Sequence, residues 1–187
     1  LLNDWDAPYI RSLKNRIDSQ SKTTLARWCL EYATEWILPL YERRIPDDLR
    51  PRKAIEAAHA WLAGTVKLPQ AKQAILACHA AARAAEGDAV AQAAARAIGQ
   101  CASTIHSARH CIGLAMYGAL AVAYDRTDPG TPWDRIEAVA AHACAHMEAA
   151  LAAVSVTGEP HPAHIDWKRP HPARTGHARE GNGGSDA

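Results

Sequence analysis

Ten histidines stand in this chain of 187 residues, and four of them share one spacing: His106 with His110, and His142 with His146. On a helix, residues four apart lie on one face, so two such pairs meeting in a bundle could offer imidazoles to zinc, copper or iron. The same residues could instead be polar groups packed or hydrogen-bonded between helices, because neither pair carries an acidic partner at ligand spacing. Arg109 stands between the first two histidines and would repel a cation if it faced the same site, although its helical position points it off the line joining them. Cys111 follows His110 directly, but adjacent side chains on a helix diverge, whereas a nucleophile and its base must come within about 2.6–3.2 Å. Cys101 and His106 are no better placed. No catalytic residues are assigned, no cofactor is implied, and a binding protein is favoured over an enzyme.

A second cluster is cationic. In I-P-D-D-L-R-P-R-K-A-I-E, the residues Arg50, Arg52 and Lys53 crowd a helix start, whose partial positive charge already disfavours cations. Such crowding suggests a partner-facing or carboxylate-paired site, with Asp47, Asp48 and Glu56 as the nearby acids. Glu56, Arg83, Arg96 and Arg109 lie in alanine-rich stretches, where charges either face solvent or form paired networks.

The elements that must position these groups are helices. Leu13 and Ile17 share a face of a short helix near residues 9 to 18, and S-Q-S-K-T-T separates it from a second that Thr24 could cap. In that second helix Leu25, Trp28, Cys29, Tyr32, Trp36 and Leu40 keep a three-and-four spacing that predicts an aromatic core face, with Pro39 marking a kink. Pro51 opens and Gly64 closes the next helix, and Pro69 opens another that runs to Gly87. Asp88 caps a helix expected to break near Gly99. Ser103 or Thr104 then starts one ending near Tyr124, and Pro132 opens a last helix to about Val156. The stretches A-A-H-A, A-C-H-A and A-H-A-C-A-H hint at a weak repeat of helical hairpins. The expected fold is all-α, an alanine-rich multi-helix bundle or short helical-hairpin array. Residues 1–156 form its single domain, and 157–187 form a Pro/His/Gly-rich tail, extended or disordered, on which Ile165 and Trp167 could still dock.

Composition bounds the partners. Lys and Arg (21) nearly balance Asp and Glu (20), giving a formal charge of +1, so bulk charge points to neither nucleic acid nor a membrane surface. The five cysteines show no C-x-x-C spacing and cannot all pair within the chain, which fits reduced thiols. L-L-N-D-W-D carries no secretory pattern, and the nearly uncharged run from Cys111 to Tyr124 falls short of the roughly 20 apolar residues that a membrane span needs. A cytoplasmic protein is expected.

From Trp28 to Tyr124 the order of segments is specific. L-P-L-Y-E, then R-P-R-K-A-I-E-A-A-H-A-W-L-A-G, then A-C-H-A-A-A-R-A-A and A-A-A-R-A-I-G-Q-C-A-S-T-I-H-S-A-R-H resembles a bacterial family of immunity proteins of polymorphic toxin systems (immunity-protein-5-like). Members often carry an exonuclease label. The resemblance covers about half the chain and implies an all-helical, noncatalytic protein that binds and neutralises a toxin encoded nearby. It supplies no catalytic residues and does not reach the tail. The exonuclease label finds no support in the sequence, which has neither a phosphate-cradling G-x-x-x-x-G-K-[ST] loop nor long heptad arms. The competing reading is a small-ligand or metal-binding helical protein using His106, His110, His142 and His146.

Overall fold

The computed structural model describes residue 2 and residues 4–167, and the expectations for residues 168 to 187 lie outside them. The described chain is all-α, a multi-helix bundle with no β-strand among its described residues. In order, its α-helices are α1 (Pro8–Ile17), α2 (Lys22–Tyr32), α3 (Leu38–Arg44), α4 (Arg50–Leu62), α5 (Leu68–Ala84), α6 (Ala89–Ser103), α7 (Ala119–Arg126) and α8 (Trp133–Val154). Two π-helical turns, Ala33–Ile37 and Leu114–Gly118, and a 3-10 turn, Ala108–Ile112, complete it.

Helix α6 is the axis of the bundle. It touches α2, α3, α4, α5 and α7 as well as the short turns, and most of its side chains are alanines or other small residues buried from solvent. Small side chains allow this many neighbours to approach one helix. The break expected near Gly99 does not occur. Gly99 lies inside α6, where a Cβ would come within 2.6 Å of the His79 imidazole on α5, so glycine is there for close approach and not to end the helix. Around this axis the larger core residues, among them Trp28, Tyr41, Leu30 and Ile37, fill the remaining space. Each contributes on the order of 1.5–3 kcal/mol by leaving water.

The second expected helix is not uniform. Pro39 lacks an amide proton and its ring crowds the carbonyl four residues back, so the preceding turn widens and the Leu38 amide reaches the Ala33 carbonyl instead. Its cap is Ser21, whose side chain accepts from the Thr24 amide, and not Thr24 itself.

The helix expected from Ser103 to Tyr124 is replaced by three short pieces. At its head Ser103 Oγ donates to the Gly99 carbonyl at 2.7 Å and Thr104 Oγ1 to the Gln100 carbonyl at 3.3 Å. Hydroxyls that bind back in this way compete with the helical ladder. The chain then turns, Ser107 is extended, and the 3-10 turn holds Arg109 and His110. In the next π-turn the Met116 carbonyl accepts from the Leu2 amide, 3.1 Å away.

Beyond α8 the described chain does not leave the body. Gln20, buried between α1 and α2, exchanges hydrogen bonds with the Val156 amide and carbonyl. The Glu159 carboxylate takes the amide and hydroxyl of Ser21 and the hydroxyl of Thr24 at the start of α2. Ala163 bonds the Gln20 carbonyl, and the Trp167 indole donates to Asp18 at 2.8 Å. Residues 156 to 167 therefore form a strap across the α1–α2 corner. No helix among the described residues is long and apolar enough to cross a membrane.

Candidate functional site

The π-turn at residues 33 to 37 shapes a groove of about 540 Å³, walled by α3, α7 and α8. Its extra residue rotates the next stretch of helix by about one residue's worth of turn, 100°. Trp28 and Tyr32 keep to the core, whereas Trp36 turns out and is 43% exposed, although the spacing had placed all three on one buried face. Pro39, Leu40, Val122 and Ala143 add apolar surface, and Glu35, Arg43, Asp125, Arg126, His142 and His146 supply polar groups.

Three rings organise the wall. The indole of Trp36 meets the His146 imidazole edge-on, with centroids 4.9 Å apart at 80°. Tyr32 Oη and His146 Nδ1 are 2.8 Å apart. Burial, with Cys144 and Glu35 nearby outweighing Arg126, raises the Tyr32 phenol above its ordinary value, so it remains protonated. In the arrangement where the phenol donates to Nδ1, a neutral imidazole carries its proton on Nε2. Across the groove, Arg43 donates to Asp125 at 2.9 Å, and Arg44, which it shares with Asp88 at 3.5 Å, approaches it at 3.7 Å. Arg126, His142 and Glu35 are exposed, and neither Arg126 nor Glu35 forms an ion pair with a described residue.

The first histidine pair lies elsewhere. His106 sits in the turn after α6 and His110 in the 3-10 turn, with ring centroids 5.3 Å apart at 60°, so the pair does not share a helix face. His110 Nδ1 is 2.7 Å from the side-chain oxygen of Gln100, and His106 Nδ1 is buried without a hydrogen-bond partner among the described residues. Burial, then the ammonium groups of Lys72 and Lys22, hold the His106 pKa below its ordinary value. His142 and His146 face the groove instead, so the structure does not bring the two pairs together. Among the described residues no group of three or more His, Cys, Asp or Glu side chains is placed to hold a metal ion.

The cationic helix start is paired with carboxylates. Arg50 grips Asp48 with Nε at 2.8 Å and Nη2 at 2.6 Å, and Tyr41 donates to the same carboxylate at 2.6 Å. These bonds, the Arg50 guanidinium first, hold the Asp48 carboxyl well below the usual carboxylate range. Arg52 makes a two-pronged pair with Glu42 on α3, 2.7 Å at each prong. Lys53 is exposed. Of the nearby acids Asp48 takes hydrogen bonds from the cluster and Glu56 acts on Arg52 through its charge alone; Glu42 comes from the preceding helix, a partner that sequence distance did not reveal.

The thiols are not poised for chemistry. All five cysteines are buried and unoxidised. Burial raises each of them, Cys78 and Cys144 to about 12, and Cys111 beside His110 well above its ordinary value. Raised thiols hold little thiolate at neutral pH and make poor nucleophiles. Sequence reasoning did not single out Trp36 or Arg126 as site residues. The signal present was Pro39, which disturbs the helical register three residues after Trp36.

A family model described as "Imm-5 like putative immunity protein" matches residues 15–150, a span that contains the whole groove and both histidine pairs. No curated protein and no solved structure matches the chain.

Proposed function

Because the chain belongs to the Imm-5 like putative immunity protein family, we propose that it binds a cognate protein toxin encoded nearby and neutralises it stoichiometrically, without catalysis, in the cytoplasm of the cell it protects. The family match over residues 15–150 carries this reading. Two features of the fold support it. An exposed tryptophan in a polar-rimmed groove has the composition of an interface centre, and the thiols nearest the histidines are buried and raised. Five reduced thiols suit a reducing compartment.

Co-expression tests it. The product of the adjacent gene should arrest growth alone and not with this chain. Titrating the purified toxin should abolish its activity at one equivalent and not before. Complete inactivation by a small fraction of an equivalent would indicate turnover and defeat the noncatalytic reading.

A further inference from the structure

We propose that the groove between α3, α7 and α8 is the toxin-docking surface, and that it receives a segment presenting an apolar side chain beside a carboxylate. This rests on the toxin-binding reading above and adds the surface and the chemistry of its occupant. The apolar half of the match comes from Trp36, which is 43% exposed beside Leu40 and Val122. Its edge-on contact with His146 and the hydrogen bond between His146 and Tyr32 fix the wall before anything binds, so little ordering remains to be done on association.

The carboxylate half comes from the charges left unspent. Asp125 is paired with Arg43 and shares Arg44 with Asp88, whereas Arg126 meets no carboxylate of a described residue. The exposed His142, and His146 through the Nε2 that Tyr32 leaves open, add polar ring nitrogens on the α8 side. Against these stands one unspent acid, Glu35. With Asp125 already paired, Arg126 is the groove guanidinium left to meet an incoming carboxylate, which it can bind through two parallel bonds. The formal charge of +1 agrees, since a protein built to block a strongly basic partner would be expected to carry a clear acidic excess.

The test uses the full chain and the purified product of the adjacent gene, with binding measured calorimetrically. Trp36→Ala and Arg126→Glu should each weaken binding at least tenfold. Arg126 is exposed and makes no ion pair with a described residue, so Arg126→Glu should keep the wild-type melting midpoint even if Trp36→Ala does not. Arg52→Glu and Lys53→Glu, at the other cationic cluster, should bind within twofold of wild type. Among toxin variants with single Asp or Glu residues changed to Lys, at least one should regain binding to Arg126→Glu. Wild-type-like binding by both groove variants, or loss confined to Arg52→Glu and Lys53→Glu, would overturn the proposal while leaving the immunity reading intact. Weakened binding with no compensating toxin variant would overturn the carboxylate. Failure of the wild-type chain to bind would remove the function and this surface together.

Discussion

The two histidine pairs have the same spacing and opposite surroundings. His142 and His146 sit on one uninterrupted helix, α8, and both reach solvent in the groove. His106 and His110 sit on a turn and a 3-10 segment, half-buried, edge to face with each other. One ring in the groove is held by a phenol, and one ring in the turn has a buried nitrogen with no hydrogen-bond partner among the described residues. The spacing four apart is therefore only a statement about chain position until the backbone between the residues is known. Where hydroxyls end the helix, as at Ser103 and Thr104, it no longer places two imidazoles on one face.

Stability separates the pairs most strongly. His106→Ala with His110→Ala removes two half-buried rings and leaves Gln100 without its imidazole partner, so it should cost about 1–3 kcal/mol in denaturant unfolding. His142→Ala with His146→Ala removes exposed rings and one hydrogen bond from Tyr32, and should cost less than about 1 kcal/mol. Equal losses in the two double variants would erase the contrast between a packed pair and an exposed one.

A smaller effect should appear with pH. The folded pKa of His106 lies below its ordinary value of 6.5, because burial and the ammonium groups of Lys72 on α5 and Lys22 on α2 oppose its charge; no carboxylate contributes. The unfolded chain therefore takes the proton first. The stability tied to His106 is complete above about 6.5 and is lost as pH falls from there through the folded value. The depressed carboxylates, Asp48 and Glu159, act in a lower window, since their ordinary values are 3.8 and 4.5. The melting midpoint should be lower at pH 5.5 than at pH 7.5, and His106→Gln should shrink that difference. An undiminished difference in His106→Gln would assign the acid sensitivity to other groups.

Much of the fold was legible because its signals are local. Pro51, Pro69, Gly64 and Asp88 sit where helices start or stop, and their effects depend on one or two residues of backbone. Three local signals misled. Gly99 looked like a stop, but its role depends on the His79 ring arriving from α5; Thr24 looked like a cap that Ser21 provides; and Ser103 and Thr104 looked like a helix start but end α6. The groove was less legible. The outward turn of Trp36 requires the widened turn before Pro39, and its neighbours His146 and Arg126 arrive from more than eighty residues away. The cluster of Arg50 and Arg52 was visible, yet Glu42, which faces Arg52, belongs to the preceding helix. Charge lists along a chain show which groups need partners and not which helix supplies them.

The smallest expected effect is the one that chelation should produce. His142 and His146 remain at helical spacing on an exposed face, the arrangement that can offer two nitrogens to a metal, while His106 and His110 stand apart from them. Two imidazoles alone fall short of the three or four protein ligands of an ordinary zinc centre. His146 Nδ1 is moreover engaged by Tyr32, which leaves only Nε2 for coordination. Protein purified without an affinity tag and held in excess chelator should therefore keep its helicity and its melting midpoint, and metal analysis before treatment should find less than one equivalent. A midpoint that falls on chelation and returns with one metal only would contradict this. If His142→Ala abolished that recovery while His106→Ala did not, the groove pair would be a metal site, and the contrast would become one between a ligating pair and a packed pair. Recovery lost in both variants would require the two pairs to meet in solution, which the separate surroundings of these rings oppose.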